Sequence, residues 1–204
     1  ADVVGITATP EFVSGQELGL RLARPEEWER DYRIAYRRFR GLDRTRIVHG
    51  TATGLDTRER LVRVTLADGT RAEEPYDVVV VSTGVTNGFW RHPTLRDAAD
   101  VDAELASPHQ RLAAAGSVAV IGGGAAAVSA AAQVAERWPA TAVDLYFPGE
   151  RALPHHHHRV WLRVRSRLER LGVGLHPGHR ADLPPDHETR HLTGGPITWT
   201  TGQP

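Results

Sequence analysis

The sequence predicts an α/β chain: a parallel sheet of βαβ type with an antiparallel β-meander inserted into it. Three stretches carry that prediction. Ser117 to Ile121 (SVAVI) is a short, partly β-branched apolar run, as a buried parallel strand should be; it enters Gly122-Gly123-Gly124, and an alanine-rich helix follows from Ala125 to Arg137. Pro139 ends that helix and Ala142 to Phe147 reads as a second strand, completing one strand–turn–helix–strand unit. The runs Ile47 to Gly54, Leu61 to Leu66 and Thr70 to Ala72 are separated by turn residues at Asp56-Thr57 and Asp68-Gly69, which makes a small antiparallel meander. Val78 to Val81 shows no alternation and is expected to be a strand buried on both faces.

The remaining elements follow in order. Ala1 to Ile6 reads as a strand that Thr7-Ala8-Thr9-Pro10 ends, and Phe12 to Leu22 has no clear period. Pro25 opens EEWERDYRIAYRRFR, expected as one helix with acids in its first turn and basics in its last. Trp28, Tyr32, Ala35 and Phe39 share one face of it. Val85 to Gly116 reads as a connector. Leu153-Pro154 and four histidines, His155 to His158, precede a helix with Val160, Trp161, Val164, Leu168 and Leu171 on one side, closed by Gly172. Val173 to Leu175 is a short strand, Pro184 to Thr193 a loop, and Ile197 to Thr201 a strand.

Composition narrows the function classes. Basic and acidic residues number 25 each, so nothing points to a polyanion partner, and no nucleic-acid partner is expected. The chain has no Cys, which removes disulfides, thiolate nucleophiles and Cys-ligated metal. There is no apolar run of about 18 residues and no signal-peptide pattern, so a soluble, cytoplasmic protein is expected. Adjacent histidines at a helix start point in different directions, and no metal site is expected of them. No side chain stands out as a catalytic nucleophile or general base.

The chemistry sits in the glycine turn, which spells G-x-G-x-x-A at Gly122, Gly124 and Ala127. Gly122 permits the tight turn out of the strand. Gly124 lets backbone approach a pyrophosphate, and Ala127 lets the helix pack closely on the strand. The first N–H groups of the helix have no intrahelical partner, and the helix dipole adds partial positive charge there. A dinucleotide fits that position. The carboxylate expected for the ribose hydroxyls falls at Phe147, with Arg151 shortly after, so the choice between NADH and NADPH stays open. His176, Pro177, His179 and Arg180 follow the third strand, at the end of the sheet where ligands bind.

VHGTATGLDTRERLVRVTLADG, then EEPYDVVVVSTG, a connector and VAVIGGG together resemble the two-dinucleotide-fold flavoproteins of the pyridine nucleotide-disulfide oxidoreductase family. Within them the order is similar to the branch of type II NADH dehydrogenases and apoptosis-inducing-factor-like NAD(P)H oxidoreductases. The resemblance implies a Rossmann-like FAD/NAD(P)-binding fold in which an NAD(P)H domain interrupts an FAD domain. It implies FAD and NAD(P)H as cofactors. NAD(P)H would meet Gly122, Gly123, Gly124, Ala125, Ala126, Ala127, Ser129 and Phe147; FAD would meet Thr7, Ala52, Ser82, Thr83 and Gly84.

The departures shape what is expected. The family opens with a strand and a G-x-G-x-x-G loop, whereas this chain begins at what resembles the second strand, whose usual acidic end is Thr7. The fold is therefore expected to be incomplete at both ends. Residues 1–113 would form a partial FAD-binding domain without its first strand, and residues 114–204 an NAD(P)H-binding domain. The family's glutamate in the nicotinamide helix is Ser129 here, and without Cys the disulfide-reductase branch is excluded. The implied activity is hydride transfer from NAD(P)H to FAD and on to a quinone, oxygen or a partner protein. Peripheral membrane association of the whole protein is compatible with it. The alternative of another class is a non-catalytic nucleotide-binding or redox-sensing module.

Overall fold

The computed structural model describes residues 2–83, 96–183 and 192–201. They divide into two compact units: Ala1–Gly15 with Arg30–Glu104, and Gln16–Glu29 with Leu105–Pro204. The units thus do not follow two consecutive segments. Residues 16–29 join the second unit, for a reason visible in their packing.

The first unit is built on one long strand. β1 (Val3–Thr7) runs parallel to the first part of β4 (Thr45–Asp56), with Thr7 opposite His49. From Gly50 onward β4 pairs antiparallel with β5 (Leu61–Leu66), which pairs with β6 (Arg71–Pro75). This is the expected meander, extended at both ends of β4. A bulge falls between Ala52 and Gly54. Gly50 is required by its neighbours, because a Cβ there would lie 2.7 Å from Val64 Cγ1 and 2.8 Å from the Thr65 carbonyl oxygen.

Three expectations for this part of the chain are corrected. The helix after Pro25 covers only Pro25–Tyr32 (α2); the chain then forms β3 (Arg33–Ile34), antiparallel to β2 (Phe12–Val13), and two single 3₁₀ turns. Trp28, Tyr32, Ala35 and Phe39 therefore do not share a helical face. The cause is tertiary: the Arg33 guanidinium is drawn into ion pairs with Glu11 and Asp102. Burial works against its charge, but the bonds to Asp102 and Glu11 outweigh it and hold Arg33 above its ordinary pKa. Val78 to Val81 is not a buried strand. It lies outside every ladder among the described residues, with Val78 83% and Val80 81% exposed. A run apolar on both faces needs covering layers on both, and the described residues supply none. Lastly, the expected connector holds α3 (Ala98–Ala113), whose start is fixed by reciprocal bonds between Asp97 and Asp100.

The second unit contains the predicted βαβ core. β7 (Ser117–Ile121), β8 (Ala142–Phe147) and β9 (Gly174–Pro177) form a parallel sheet with β8 in the middle. α4 (Ala125–Arg137) and α5 (His158–Arg170) lie on one face of it. Val143, Leu145 and Phe147 alternate toward that face and meet Val128, Ala131 and Val134 of α4 and Trp161 and Leu168 of α5. Two details differ from expectation. Val160 is exposed, one position off the apolar stripe, and β7 is an edge strand with Ile121 41% exposed, since its only ladder partner among the described residues is β8. On the opposite face of the sheet, Tyr146 stacks on His176 at 4.3 Å and lies tilted by 30° to Trp199 at 4.7 Å. Trp199 belongs to β11 (Trp199–Thr201), which pairs with β10 (Arg180–Ala181).

Residues 16–29 belong to this unit because α1 (Leu18–Ala23) packs directly on α4. The crossing is close enough to demand glycine: a Cβ on Gly19 would lie 2.6 Å from the Ser129 carbonyl carbon and oxygen. Trp28, fully buried, donates its indole N–H to the Gln16 carbonyl at 2.9 Å. Gly19→Val should force the two helices apart and cost about 2–3 kcal/mol, in the range of core overpacking. Urea unfolding that shows no loss of stability in this variant would contradict the packing described.

Candidate functional site

The turn between β7 and α4 is held from three sides. The Gly122 N–H donates to the Tyr146 carbonyl at 2.8 Å, the Leu153 N–H donates to the Gly123 carbonyl at 2.6 Å, and the Val128 N–H closes the first helical bond onto Gly124 at 3.1 Å. Three consecutive glycines serve three purposes. Gly122 adopts φ +136°, a conformation open to glycine, and a Cβ there would sit 3.3 Å from the Ala127 methyl. Gly123 is a packing glycine, since a Cβ would meet Phe147 Cβ at 3.3 Å and Ala152 Cα at 3.6 Å. Gly124 has neither reason. Its φ of −83° and ψ of 172° suit any residue, and a Cβ there would meet nothing within 4 Å.

Gly124 is also the N-cap of α4, with no side chain capping the helix. The N–H groups of Gly124, Ala125, Ala126 and Ala127 have no backbone partner among the described residues. Ala125 and Ala126 are exposed, so these donors sit beneath open surface at the positive end of a 13-residue helix. Such an end accepts an anionic group. Gly124 has no side chain and Ala125 and Ala126 carry only methyl groups, which lets that group come down to backbone distance. The turn therefore fits a dinucleotide pyrophosphate.

Around this centre the other expected residues fall differently. Ala127 is half-buried against Gly122 and the core. Ser129 lies on the far side of the helix start, at the crossing with Gly19. Phe147 is 1% exposed and packs edge-on against Trp161, while its carbonyl accepts the His179 N–H at 3.0 Å. Its side chain points into the core, and a carboxylate substituted there would enter the core as well. Of the histidine run, His157 caps α5 by accepting the Arg159 N–H, and the other three are exposed. No group of His, Asp and Glu among the described residues is arranged to hold a metal.

The FAD positions lie in the first unit. Thr7 ends β1, with its hydroxyl 2.9 Å from the Tyr36 hydroxyl. Ala52 is exposed at the bulge of β4, three residues past the partner of Thr7, or about 10 Å farther along the strand. Ser82 and Thr83 are exposed and outside the ladder; Gly84 lies outside the described residues. Among the described residues this unit has no second glycine turn opening a helix, and the start of α3 is occupied by its own Asp97 and Asp100. Among the described residues this unit therefore offers no helix start for a pyrophosphate.

Sequence reasoning did not find the loop from Pro148 to His157. It passes over the glycine turn, with Ala152 and Leu153 buried and the Arg151 guanidinium donating to the Pro154 and His156 carbonyls at 3.0 and 3.2 Å. Leu153-Pro154 was its only visible sign. The pair of His176 Nε2 and Asp144 Oδ1, 2.7 Å apart, left no signal at all, although Gly174 exists to admit it: a Cβ there would sit 2.0 Å from Asp144 Oδ1.

No protein-family model matches this chain, and no curated protein does. Solved structures do. An engineered water-forming NADPH oxidase bound to NADPH aligns with 89% of this chain and 42% of its own, at TM-score 0.64 and 15% identity. NDH2 from Plasmodium falciparum in complex with NADH aligns with 88% of this chain and 43% of its own, at TM-score 0.63 and 11% identity. An NAD-dependent persulfide reductase from A. fulgidus aligns with 89% and 36%, at TM-score 0.62 and 18% identity. The chain thus spans less than half the length of these proteins, and at such identities the likeness is one of fold: a Rossmann-like FAD/NAD(P)-binding fold. No helix among the described residues is long and apolar enough to cross a membrane.

The Phe147 geometry yields a direct expectation. Phe147→Glu should lower stability by at least about 3 kcal/mol, because it removes a buried aromatic ring and places a carboxylate in the apolar core. Chemical unfolding measures this, and a variant as stable as the parent would show that the strand end is exposed after all.

Proposed function

We propose that this chain supplies the nicotinamide-dinucleotide site of an FAD-dependent NAD(P)H oxidoreductase. One observation carries the reading: Gly124 has no conformational or packing reason to be glycine, yet it stands at the uncapped start of α4. A residue kept free of a side chain only toward solvent makes sense where a ligand must reach backbone. The structural neighbours support the nucleotide class, since those compared above are an NADPH oxidase, an NADH-bound NDH2 and an NAD-dependent reductase.

In this reading the hydride chemistry belongs to the two cofactors, and the protein binds and orients them. The N–H groups of Gly124, Ala125 and Ala126 take the pyrophosphate, with Gly122, Gly123 and Ala127 shaping the turn that presents them. Ser129 packs at the crossing with Gly19 and offers no carboxylate to the nicotinamide. FAD would contact Thr7, Ala52, Ser82, Thr83 and Gly84. The onward acceptor in this reading is a quinone, oxygen or a partner protein.

Two experiments test it. Gly124→Val should leave the fold intact, since a Cβ there meets open space, and weaken NADH binding at least tenfold, about 1.4 kcal/mol. Equal affinities by calorimetry would remove the assignment. The 204-residue chain incubated with FAD and desalted should show no flavin band, because the described residues lack a cradle for its pyrophosphate. Retention of FAD near stoichiometry would overturn that argument. In the whole protein, bleaching of bound flavin by NADH separates an oxidoreductase from a nucleotide-sensing module.

A further inference from the structure

We propose that Leu153 is a positioning residue for the dinucleotide: its backbone N–H orients the Gly123–Gly124 peptide so that the Gly124 N–H faces the bound pyrophosphate. The proposal rests on the nucleotide reading above and adds a residue that neither the glycine spacing nor the family resemblance points to.

The starting observation is conformational. Leu153 has φ +55°, in the left-handed region that a bulky side chain rarely adopts. Such residues persist where the surroundings over-determine them, and they gather at ligand clamps. Here the surroundings are specific. The Leu153 side chain is 5% exposed beside the fully buried Ala152. Its carbonyl accepts the His156 N–H at 3.0 Å, and Arg151 ties the Pro154 and His156 carbonyls together. Pro154 disfavours the right-handed helical alternative for the residue before it. All of this holds one group in place, the Leu153 N–H, which reaches the Gly123 carbonyl at 2.6 Å.

The consequence follows from peptide geometry. In a planar trans peptide the C=O and the N–H point to opposite sides. Drawing the Gly123 oxygen toward Leu153 therefore turns the Gly124 N–H away from the loop, to the side where a Gly124 Cβ would meet nothing. Flanked by glycines, this peptide has little steric preference of its own. The Gly122 N–H cannot substitute, because it already donates to the Tyr146 carbonyl. Leu153 thus decides whether the turn presents a donor or a carbonyl oxygen to an incoming phosphate.

The test compares the 204-residue chain with Leu153→Gly and Leu153→Val. Glycine keeps the N–H and takes the left-handed conformation freely, at the loss of the buried side chain. Valine keeps apolar bulk but resists that conformation. NADH affinity by calorimetry, thermal midpoint and hydrogen exchange of the residue-153 amide are measured for each. The expected result is that Leu153→Gly binds NADH within about threefold of the parent despite a lower midpoint. Leu153→Val should bind at least tenfold more weakly, with the residue-153 amide exchanging faster than in the parent. Should Leu153→Val not fold, Leu153→Ala against Leu153→Gly makes the same comparison, both truncated and differing in left-handed preference. Equal affinity for the valine and parent chains, or a glycine variant as impaired as the valine one, overturns the proposal. So does unprotected exchange of the Leu153 amide in the parent. A parent chain that binds no NADH while this amide is protected instead overturns the nucleotide reading beneath it.

Discussion

The second unit depends on how backbone approaches backbone where β7 turns into α4. Gly122 is bonded to the strand beside it, Gly123 to the loop above it, and Gly124 starts the helix. The first two contacts depend on a missing Cβ, which would meet Ala127 at Gly122 and Phe147 with Ala152 at Gly123, whereas at Gly124 it would meet only open space. The same logic recurs at Gly19 against Ser129 and at Gly174 against Asp144. The small residues of this unit mark places where main chains or short polar contacts must pass within touching distance.

That constraint divides α4 by function along its length. Its first turn is alanine and glycine facing outward, which leaves its N–H groups accessible to an anion. Its middle is Val128, Ala131 and Val134 facing β8, and the small alanines allow the helix to lie close to the sheet. Close packing fixes the axis of the helix, and the axis fixes where the N–H groups point. Site and core are thus the same element seen from two sides.

The first unit carries its weight on charge. Arg33 is held by two carboxylates, Arg46 by Glu74 across the sheet, and Arg96 by Glu104. Glu74 is correspondingly pulled below the ordinary carboxylate range by its bond to Arg46. A sheet of modest apolar content, with Val48 and Val64 as its buried strand residues, gains register from such pairs more than energy. The exposed valines at 78–81 show the limit of this: ion pairs cannot cover a surface that is apolar on both faces.

The sequence by itself determined the elements whose signal is short-range. The period of two in the meander, the alanine-rich helix between Gly124 and Pro139, and the spacing of Gly122, Gly124 and Ala127 are all read within one element, and the structure places them as expected. What only the tertiary structure decided involves partners distant in the chain. Arg33 leaves its helix for Glu11 and Asp102; residues 16–29 join the second unit through Gly19; Phe147 turns inward to Trp161; Leu153 takes a left-handed backbone to reach Gly123. Local propensity amounts to a few tenths of a kcal/mol per residue. A pair of ion pairs on one guanidinium, a ring in the core or a helix crossing at van der Waals distance outweighs it, and none of these leaves a periodic trace in the sequence.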